Sequence, residues 1–168
     1  MPGARFMRSM LFGFLLMQFS IRTLEAALNA TREVITSPDV VKPTDPYSHA
    51  ICVGDTMYLS GQTGTDPQTG RLVPGGIVPQ TRQAISRFVD PFQVLTNLGK
   101  VLEAGHMNFT NVVKCTVYLA DMNDYEDMNK IYAEFFAEKP PARVTIRAAE
   151  LPRRARVEIE AIAVDTAN

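Results

Sequence analysis

Two segments near the C-terminal end of this 168-residue chain carry the residue types best suited to chemistry. The segment PPARVTIR places Arg143 directly after two prolines, and the segment VEIEAIAV contains Glu158 and Glu160. Alternate side chains of an extended strand share one face, so Arg143 is expected beside Thr145 and Arg147. For the same reason Glu158 and Glu160 share one face of the second strand. That face continues with aliphatic residues, which is unusual for a solvated strand face. The pattern indicates either structural ion pairs or a binding site.

A turn at Leu151–Pro152–Arg153 would join the two segments as a hairpin and bring the two charged sets within cross-strand reach. One interpretation is a pair of structural salt bridges, each contributing roughly 0.2–1 kcal/mol. The other is that the guanidinium of Arg143 binds a ligand carboxylate in bidentate fashion while a nearby glutamate activates water. Spacing alone leaves both open. The arginines of the connection, Arg153, Arg154 and Arg156, are expected to be exposed.

The rest of the sequence contains no stronger catalytic pattern. A nucleophile elbow, a P-loop and a dinucleotide fingerprint are all missing from the sequence. His49 and His106 lack the spacing of metal ligands, so no metal site is predicted. Cys52 and Cys115 lie in apolar runs and are interpreted as buried thiols. The net charge of −1 offers no electrostatic footprint for nucleic acid, so no nucleic-acid partner is expected.

The remaining segments predict the elements that must position these residues. AICVGDTMYLSG reads as two short strands with a tight turn at Gly54–Asp55, and TGTDPQTGRLVPGG as a loop. Residues 78–104 have an apolar face of helical period that stops at Gly105. A break is expected at Asp90–Pro91, because a proline inside a helix costs about 3 kcal/mol.

Two further elements follow before the C-terminal strands. NVVKCTVYLAD is rich in β-branched residues and predicts a strand. MNDYEDMNKIYAEFFAEK predicts a helix with Asn123 or Asp124 as N-cap and an apolar stripe. The order strand, strand, helix, strand, helix, strand, strand predicts an α+β fold, a mixed sheet with two main helices packed on one face. Apolar residues on the other face predict self-association into a closed cyclic oligomer.

The first thirty residues differ from the remainder of the chain. They begin with two arginines and no acid, followed by an apolar stretch of eleven residues, LFGFLLMQFSI. That stretch is shorter than the ~20 residues needed to span a bilayer, so no membrane span is predicted. Residues 1–30 are interpreted as a secretory or mitochondrial targeting leader or as a disordered extension. Residues 31–168 have the length of one domain.

From about residue 37 to 165, three segments in order resemble the Rid (reactive intermediate deaminase) family, also called the YjgF family. They are PYSHAICVGDTMYLSGQTG, NVVKCTVYLADMNDYEDMNKIYAEFF and PPARVTIRAAELPRRARVEIEAIAV. The resemblance is to the imine-deaminating branch. It implies a chorismate-mutase-like fold, a homotrimer with a site in each intersubunit cleft, and a small-molecule substrate. The implied reaction hydrolyses 2-iminobutanoate and 2-iminopropanoate to 2-oxo acids and ammonia, with no metal and no organic cofactor.

The resemblance also implies roles for individual residues. It implies that Arg143 binds the substrate carboxylate and that Glu158 is associated with the catalytic water. The implied substrate-binding residues are Tyr47, Gly61, Asn129 and Thr145. Thr145 stands where some relatives have cysteine, and is expected to be tolerated because the contact there runs through the main chain.

This chain departs from the family pattern in two places. Residues 85–93, ISRFVDPFQ, look like an insertion into the first main helix that could disturb helix packing or assembly. The leader is absent from short relatives, so a cytoplasmic or mitochondrial location follows from resemblance while secretion stays open.

Relatives have also been assigned ribonuclease activity or translation inhibition. A non-catalytic protein that binds small acids would use the same arginine.

Overall fold

A computed structural model of the chain describes residues 31–81 and 93–166. Contacts divide the chain into two units, Met1–Arg32 and Glu33–Asn168. Six strands within the described ranges form one sheet of order β1-β2-β3-β6-β4-β5. Their bounds are β1 Arg32–Ile35, β2 Ala50–Val53, β3 Thr56–Thr63, β4 Val112–Leu119, β5 Ala142–Arg147 and β6 Val157–Val164. The strand β1 is not predicted from the sequence; the other five are confirmed. No helix in these ranges is both long enough and apolar enough to cross a membrane.

The hairpin of β2 and β3 forms as predicted, and it contains an irregularity that matters for the site. Its turn uses Gly54 at a φ of 57°, a left-handed conformation that glycine adopts without steric cost. Further along β3, the pairing with β6 changes register between Leu59 and Gln62. The intervening residues, Ser60 and Gly61, form a β-bulge, which locally bends the strand and redirects its side chains.

Three α-helices lie in the described ranges: α1 Ile77–Thr81, α2 Gln93–Ala104 and α3 Tyr125–Phe135. The predicted apolar face of α2 is confirmed, since its aliphatic side chains are fully buried; they are Val94, Leu95, Leu98, Val101 and Leu102. The predicted break at Asp90–Pro91 lies outside the described residues, as do positions 85–92 of the predicted insertion.

The helix α3 begins at a predicted N-cap residue, but the side chain of that residue has another partner. Asp124 occupies the N-cap position but makes no side-chain cap bond. Its carboxylate instead accepts hydrogen bonds from Nε and Nη2 of Arg156 at 2.8 and 2.7 Å. Asp121 caps the preceding 3-10 turn by accepting from the backbone N–H of Asn123. The expected exposure is confirmed for Arg153 and Arg154, and the side chain of Arg156 is 42% exposed although it is also ion-paired with the buried Asp124.

The two faces of the sheet differ in what covers them. The side chains of β6 that face the helices are buried, and the alternate side chains, Glu158, Glu160, Ile162 and Val164, are only half-buried. α2 and α3 pack against the same face, as predicted, and share one apolar core with β3, β4 and β6. The opposite face, called here the helix-free face, exposes Tyr58, Val144 and Ile146 by 51%, 44% and 44%.

The predicted hairpin between the last two strands is wrong. β5 pairs with β4 in parallel, and β6 lies between β3 and β4, antiparallel to both. The reason is that β4, α3 and β5 form one crossover unit, in which a helix returns the chain to a parallel neighbouring strand. Arg143 pairs with the buried Cys115 and faces the helices, whereas Glu158 faces the other side. The interpretation of Arg143 and Glu158 as a cross-strand salt bridge is therefore wrong.

The prediction for the two cysteines is half correct. Both thiols are free, but only Cys115 is buried, while Cys52 is half-buried on β2. Burial raises the pKa of the Cys115 thiol above its usual value. Neither cysteine is part of a disulfide framework, which agrees with the interpretation of the sequence.

Candidate active site

An open cleft of about 440 Å³ lies where the connector at residues 40–49, the bulge of β3 and the start of β6 come together. Three of the predicted site residues line it, namely Tyr47, Gly61 and Glu158. This group is called here the glutamate cleft. Tyr47 lies at its lip and is 52% exposed, so its ring is free to cover a bound molecule. The structure thus brings half of the predicted site together.

The bulge in β3 places the carboxylate of Glu158 directly over the backbone of Gly61. A Cβ atom added to Gly61 would overlap Oε1 of Glu158, so only glycine leaves this space open. Burial raises the pKa of the Glu158 carboxyl, and the negative charge of Glu160 on the same face raises it further. A carboxyl tuned in this direction exchanges protons more readily near neutral pH than an exposed glutamate does.

The side chain of His49 joins two parts of the connector that forms the wall of the cleft, a role that the sequence does not predict. Its side chain is buried, with Nδ1 accepting a hydrogen bond from the Ser37 backbone N–H at 3.1 Å. The other ring nitrogen, Nε2, therefore carries the proton and donates to the Val41 carbonyl at 3.0 Å. The carbonyl of His49 accepts from the N–H of Ser60 at 3.0 Å. One signal was available, because His49 directly precedes the apolar run of β2.

The other three predicted residues form a second group, called here the arginine cluster, comprising Asn129, Arg143 and Thr145. Nη2 of Arg143 donates to Oδ1 of Asn129 at 2.8 Å and to the hydroxyl of Tyr125 at 3.1 Å. The guanidinium carbon lies 4.5 Å from the ring centroid of Tyr132. Thr145 follows on the same face of β5, and its buried hydroxyl has no hydrogen-bond partner among the described residues.

Arg143 is a half-buried cation whose partners are all neutral. Within residues 31–81 and 93–166, no carboxylate forms an ion pair with it. Its hydrogen bonds to the described part of the chain come from Nη2 alone, so Nε and Nη1 donate to none of the described residues. These two nitrogens keep N–H donors that a carboxylate can accept. The cluster is thus suited to bind an anionic small molecule.

The two groups do not meet within one chain. Arg143 lies on the edge strand β5 and faces α3, whereas Glu158 lies on β6 and faces away from the helices. The structure therefore holds the guanidinium of Arg143 and the carboxylate of Glu158 in separate places.

Comparison with known proteins places this architecture in a family. Residues 37–165 match the family described as Endoribonuclease L-PSP. A Mus musculus protein named 2-iminobutanoate/2-iminopropanoate deaminase is 48% identical over 133 residues, covering 79% of this chain and 91% of its own. YyfA from Yersinia pestis, a solved structure of the conserved Rid protein family, is 36% identical with a TM-score of 0.72, covering 80% of this chain and 99% of its own. E. coli TdcF, solved with bound serine, is 29% identical with a TM-score of 0.71, covering 80% and 99%.

The sheet, the helices on one face and the family match define a chorismate-mutase-like α+β protein, as predicted. The chain belongs to the Endoribonuclease L-PSP family, which includes the Rid and YjgF proteins. The resemblance stated from the sequence is confirmed.

Proposed function

We propose that this protein is a deaminase that hydrolyses 2-iminobutanoate and 2-iminopropanoate to the 2-oxo acids and ammonia. The observation that carries the proposal is the guanidinium of Arg143, which forms no ion pair with the described residues and keeps Nε and Nη1 as donors for the carboxylate common to both substrates. Relatives that share 43–48% of their residues with this chain bear the name of this deaminase. The bound serine of TdcF supports a small amino-acid-like ligand in this family.

The site that we propose lies between chains, in a homotrimer. One chain contributes the arginine cluster, and its neighbour contributes the glutamate cleft. Three observations support this arrangement: the two groups face opposite sides of the sheet, Arg143 lies on an edge strand, and the helix-free face exposes Val144 and Ile146. Apolar residues exposed on one sheet face favour burial against another copy of the chain, and a closed ring is the common solution.

The chemistry then follows from the two groups. Arg143 binds the carboxylate of the imino acid and fixes the C=N carbon relative to a water molecule associated with Glu158, which makes the attack effectively intramolecular. Glu158 takes a proton from this water as the C–O bond forms and the π-electron pair of the C=N bond moves to nitrogen. The same carboxyl returns the proton to nitrogen, which gives a neutral carbinolamine. Glu158 then takes the proton of the new hydroxyl and passes it to nitrogen as the C=O bond forms and the C–N bond breaks. The 2-oxo acid and ammonia are the products.

The remaining predicted residues contribute to binding in this proposal. Tyr47 covers the substrate from the lip of the cleft, and the backbone of Gly61 approaches it where no side chain intervenes. Asn129 orients Arg143, and Thr145 contributes its main chain on the same strand. The proton transfers need only the carboxyl and water, so the proposal includes no metal and no organic cofactor.

An assay with freshly generated imine tests the proposal. Threonine dehydratase supplies 2-iminobutanoate, and ammonia release is followed with and without this protein. Arg143→Ala is expected to lower kcat/KM by at least about 100-fold, since orientation and charge pairing are both lost. Arg143→Lys is expected to recover only part of this, because lysine cannot form the paired bonds. A wild-type rate from Arg143→Ala would remove the assignment.

The family description favours a second candidate, endoribonuclease activity. Against it stands the net charge of −1, because binding of the phosphate backbone relies on clustered lysine and arginine. A salt titration of RNA binding and cleavage separates the two candidates. Cleavage that falls steeply with salt and survives Arg143→Ala would favour the ribonuclease.

We also propose that residues 1–30 are a targeting leader before a single Rid domain at 31–168. The basic start and the short apolar stretch support a targeting leader, whose destination is mitochondrial according to its arginines or secretory according to its apolar stretch. Sequencing the N-terminus of the mature protein tests it. A mature protein that begins at Met1 would contradict the proposal.

A further inference from the structure

One face of α3 presents three side chains to the guanidinium of Arg143. They are Tyr125, Asn129 and Tyr132, spaced by four and then three residues, so that they follow one line along the helix. Asn129 is already part of the predicted site. The two tyrosines have no role in the chemistry described so far, although both contact the one cation on which the proposed function depends.

We infer that Tyr125 and Tyr132 are positioning residues that fix the guanidinium of Arg143 before the substrate arrives; the inference rests on the proposed function. The pair is called here the tyrosine bracket. The guanidinium carbon lies 4.5 Å from the ring centroid of Tyr132, within the range of a cation–π contact. The hydroxyl of Tyr125 accepts from Nη2 at 3.1 Å. The ring restrains the plane of the guanidinium, and the hydroxyl restrains its rotation within that plane.

The chemistry of the bracket explains why it holds the cation without neutralising it. A phenol and an aromatic face attract the guanidinium but carry no negative charge, so a substrate carboxylate meets no competing anion. An aspartate or glutamate in either position would occupy the fork of Arg143 itself. Because the side chain is already ordered in the free protein, less conformational freedom is lost when the substrate binds.

The position of Tyr132 is set by packing and not by its hydroxyl. The side chain is 4% exposed, and its ring lies 4.5 Å from that of Phe136. The hydroxyl is buried beside the Cys115 thiol and makes no hydrogen bond to Arg143. The ring face is therefore the functional part of Tyr132, which separates its role from that of Tyr125, where the hydroxyl itself makes the contact.

The test compares KM and kcat for 2-iminobutanoate among three variants. Tyr132→Leu removes the ring face and is expected to raise KM roughly tenfold with little change in kcat. Tyr132→Phe keeps the ring and is expected to restore KM. Tyr125→Phe loses one hydrogen bond to a charged group and is expected to raise KM about five-fold. Thermal unfolding of each variant checks that the fold is retained.

Met128→Ala is the matched control, because Met128 is fully buried on α3 and is not among the residues that contact Arg143. It is expected to lower Tm without changing KM. An unchanged KM in Tyr132→Leu, or an equal rise in Met128→Ala, would overturn the inference.

Calorimetric titration with 2-oxobutanoate keeps this test separate from the test of the proposed function. If the wild-type protein releases no ammonia, the deaminase proposal fails, and the titration still measures the bracket. Roughly tenfold weaker binding by Tyr132→Leu supports the bracket. Equal binding by the variant, or no binding by the wild-type protein, overturns it.

Discussion

The role that we propose for Glu158 in catalysis comes at a cost to the stability of the fold. Its carboxyl is half-buried, and burial followed by the charge of Glu160 raises its pKa. A raised pKa suits a group that must accept and return a proton near neutral pH. The same shift lowers stability at neutral pH, because the folded state favours the protonated carboxyl. The contribution of Glu158 to the free energy of unfolding is fully present below the ordinary glutamate pKa, and it is lost as the pH rises through the raised pKa of the folded state.

The first prediction follows from this sign. Glu158→Gln keeps the shape and removes the charge, so we expect the variant to unfold at a higher temperature than the wild-type protein at pH 7. Below about pH 4 the wild-type carboxyl is protonated in both states, and the difference should disappear. Thermal unfolding at the two pH values measures it, with ammonia release as a check that activity is lost.

Glu138→Gln controls for the loss of one negative charge, because Glu138 is exposed on the surface. We expect this variant to unfold like the wild-type protein at pH 7. Equal unfolding temperatures for Glu158→Gln and the wild-type protein at pH 7 would contradict the account, as would a difference that persists in acid.

At the scale of elements, the bulge of β3 decides whether the glutamate cleft is open. Ser60 and Gly61 fall between the two registers of the β3–β6 pairing, and Gly61 faces the carboxylate of Glu158. The backbone of Gly61 is not in the left-handed region, so alanine fits its conformation. The Cβ of an alanine would overlap the carboxylate of Glu158, so the flexible end of that side chain would have to move.

The second prediction concerns this contact. Gly61→Ala is expected to lower kcat/KM by at least about tenfold, because the carboxylate is displaced from the water that it must hold. The fold should lose little, since the atom that must move is the end of a side chain. Gly70→Ala is the control: Gly70 has a φ of 67° and nothing within 4 Å, so alanine costs stability there while activity stays. Full activity in Gly61→Ala would contradict the role of the bulge.

A second link between elements joins the start of α3 to the start of β6. Arg156 donates two bonds to Asp124, and its backbone N–H donates to Oε1 of Gln80 next to the end of α1 at 2.7 Å. Asp124 is buried, so its carboxylate depends on this partner in place of water. The link fixes where β6 begins and hence where Glu158 lies along the cleft.

The third prediction tests this link by chemical denaturation. Arg156→Lys loses the two-pronged geometry and is expected to lower the free energy of unfolding by about 2 kcal/mol. The exposed ion pair of Lys130 and Asp127 offers a comparison, because Lys130→Ala should cost less than about 0.5 kcal/mol. Equal costs for the two variants would mean that the burial of Asp124 contributes nothing.

Local pattern predicts the elements, and long-range pairing limits what the sequence can reveal. The turn at Gly54 and the buried face of α2 follow from conformation and periodicity. The partner of β5 does not, because pairing with β4 or with β6 leaves the same alternation of side chains along β5. A hairpin between strands adjacent in sequence predicts Arg143 beside Glu158, whereas β5 pairs in parallel with β4.

The candidate site was predictable in part for the same reason. The suitability of arginine for a carboxylate follows from its chemistry, whereas Tyr47, Gly61 and Asn129 came from the family resemblance. The hydrogen bonds of His49 could not be predicted from the sequence, because its two partners lie eight and twelve residues away in a connector without periodicity.

At the scale of the whole molecule, the separation of the two groups is the central feature. A positive group that forms no ion pair within the described residues lies at an edge of the sheet, and two glutamates lie on the helix-free face. In the proposed function neither group completes a site alone. In a ring of identical chains, one copy can supply to its neighbour what that neighbour lacks, so that every interface repeats the same arrangement.

Complementation between two inactive variants tests this claim most directly. Arg143→Ala and Glu158→Gln are each expected to be inactive, because each breaks all three sites of the proposed trimer. The two variants are unfolded together and refolded as a mixture. An intact site then forms at each interface where a Glu158→Gln chain supplies Arg143 and an Arg143→Ala chain supplies Glu158. Random mixing then predicts recovery of about a quarter of the wild-type ammonia release. Mixed assemblies that remain as inactive as the separate variants would contradict a site shared between chains.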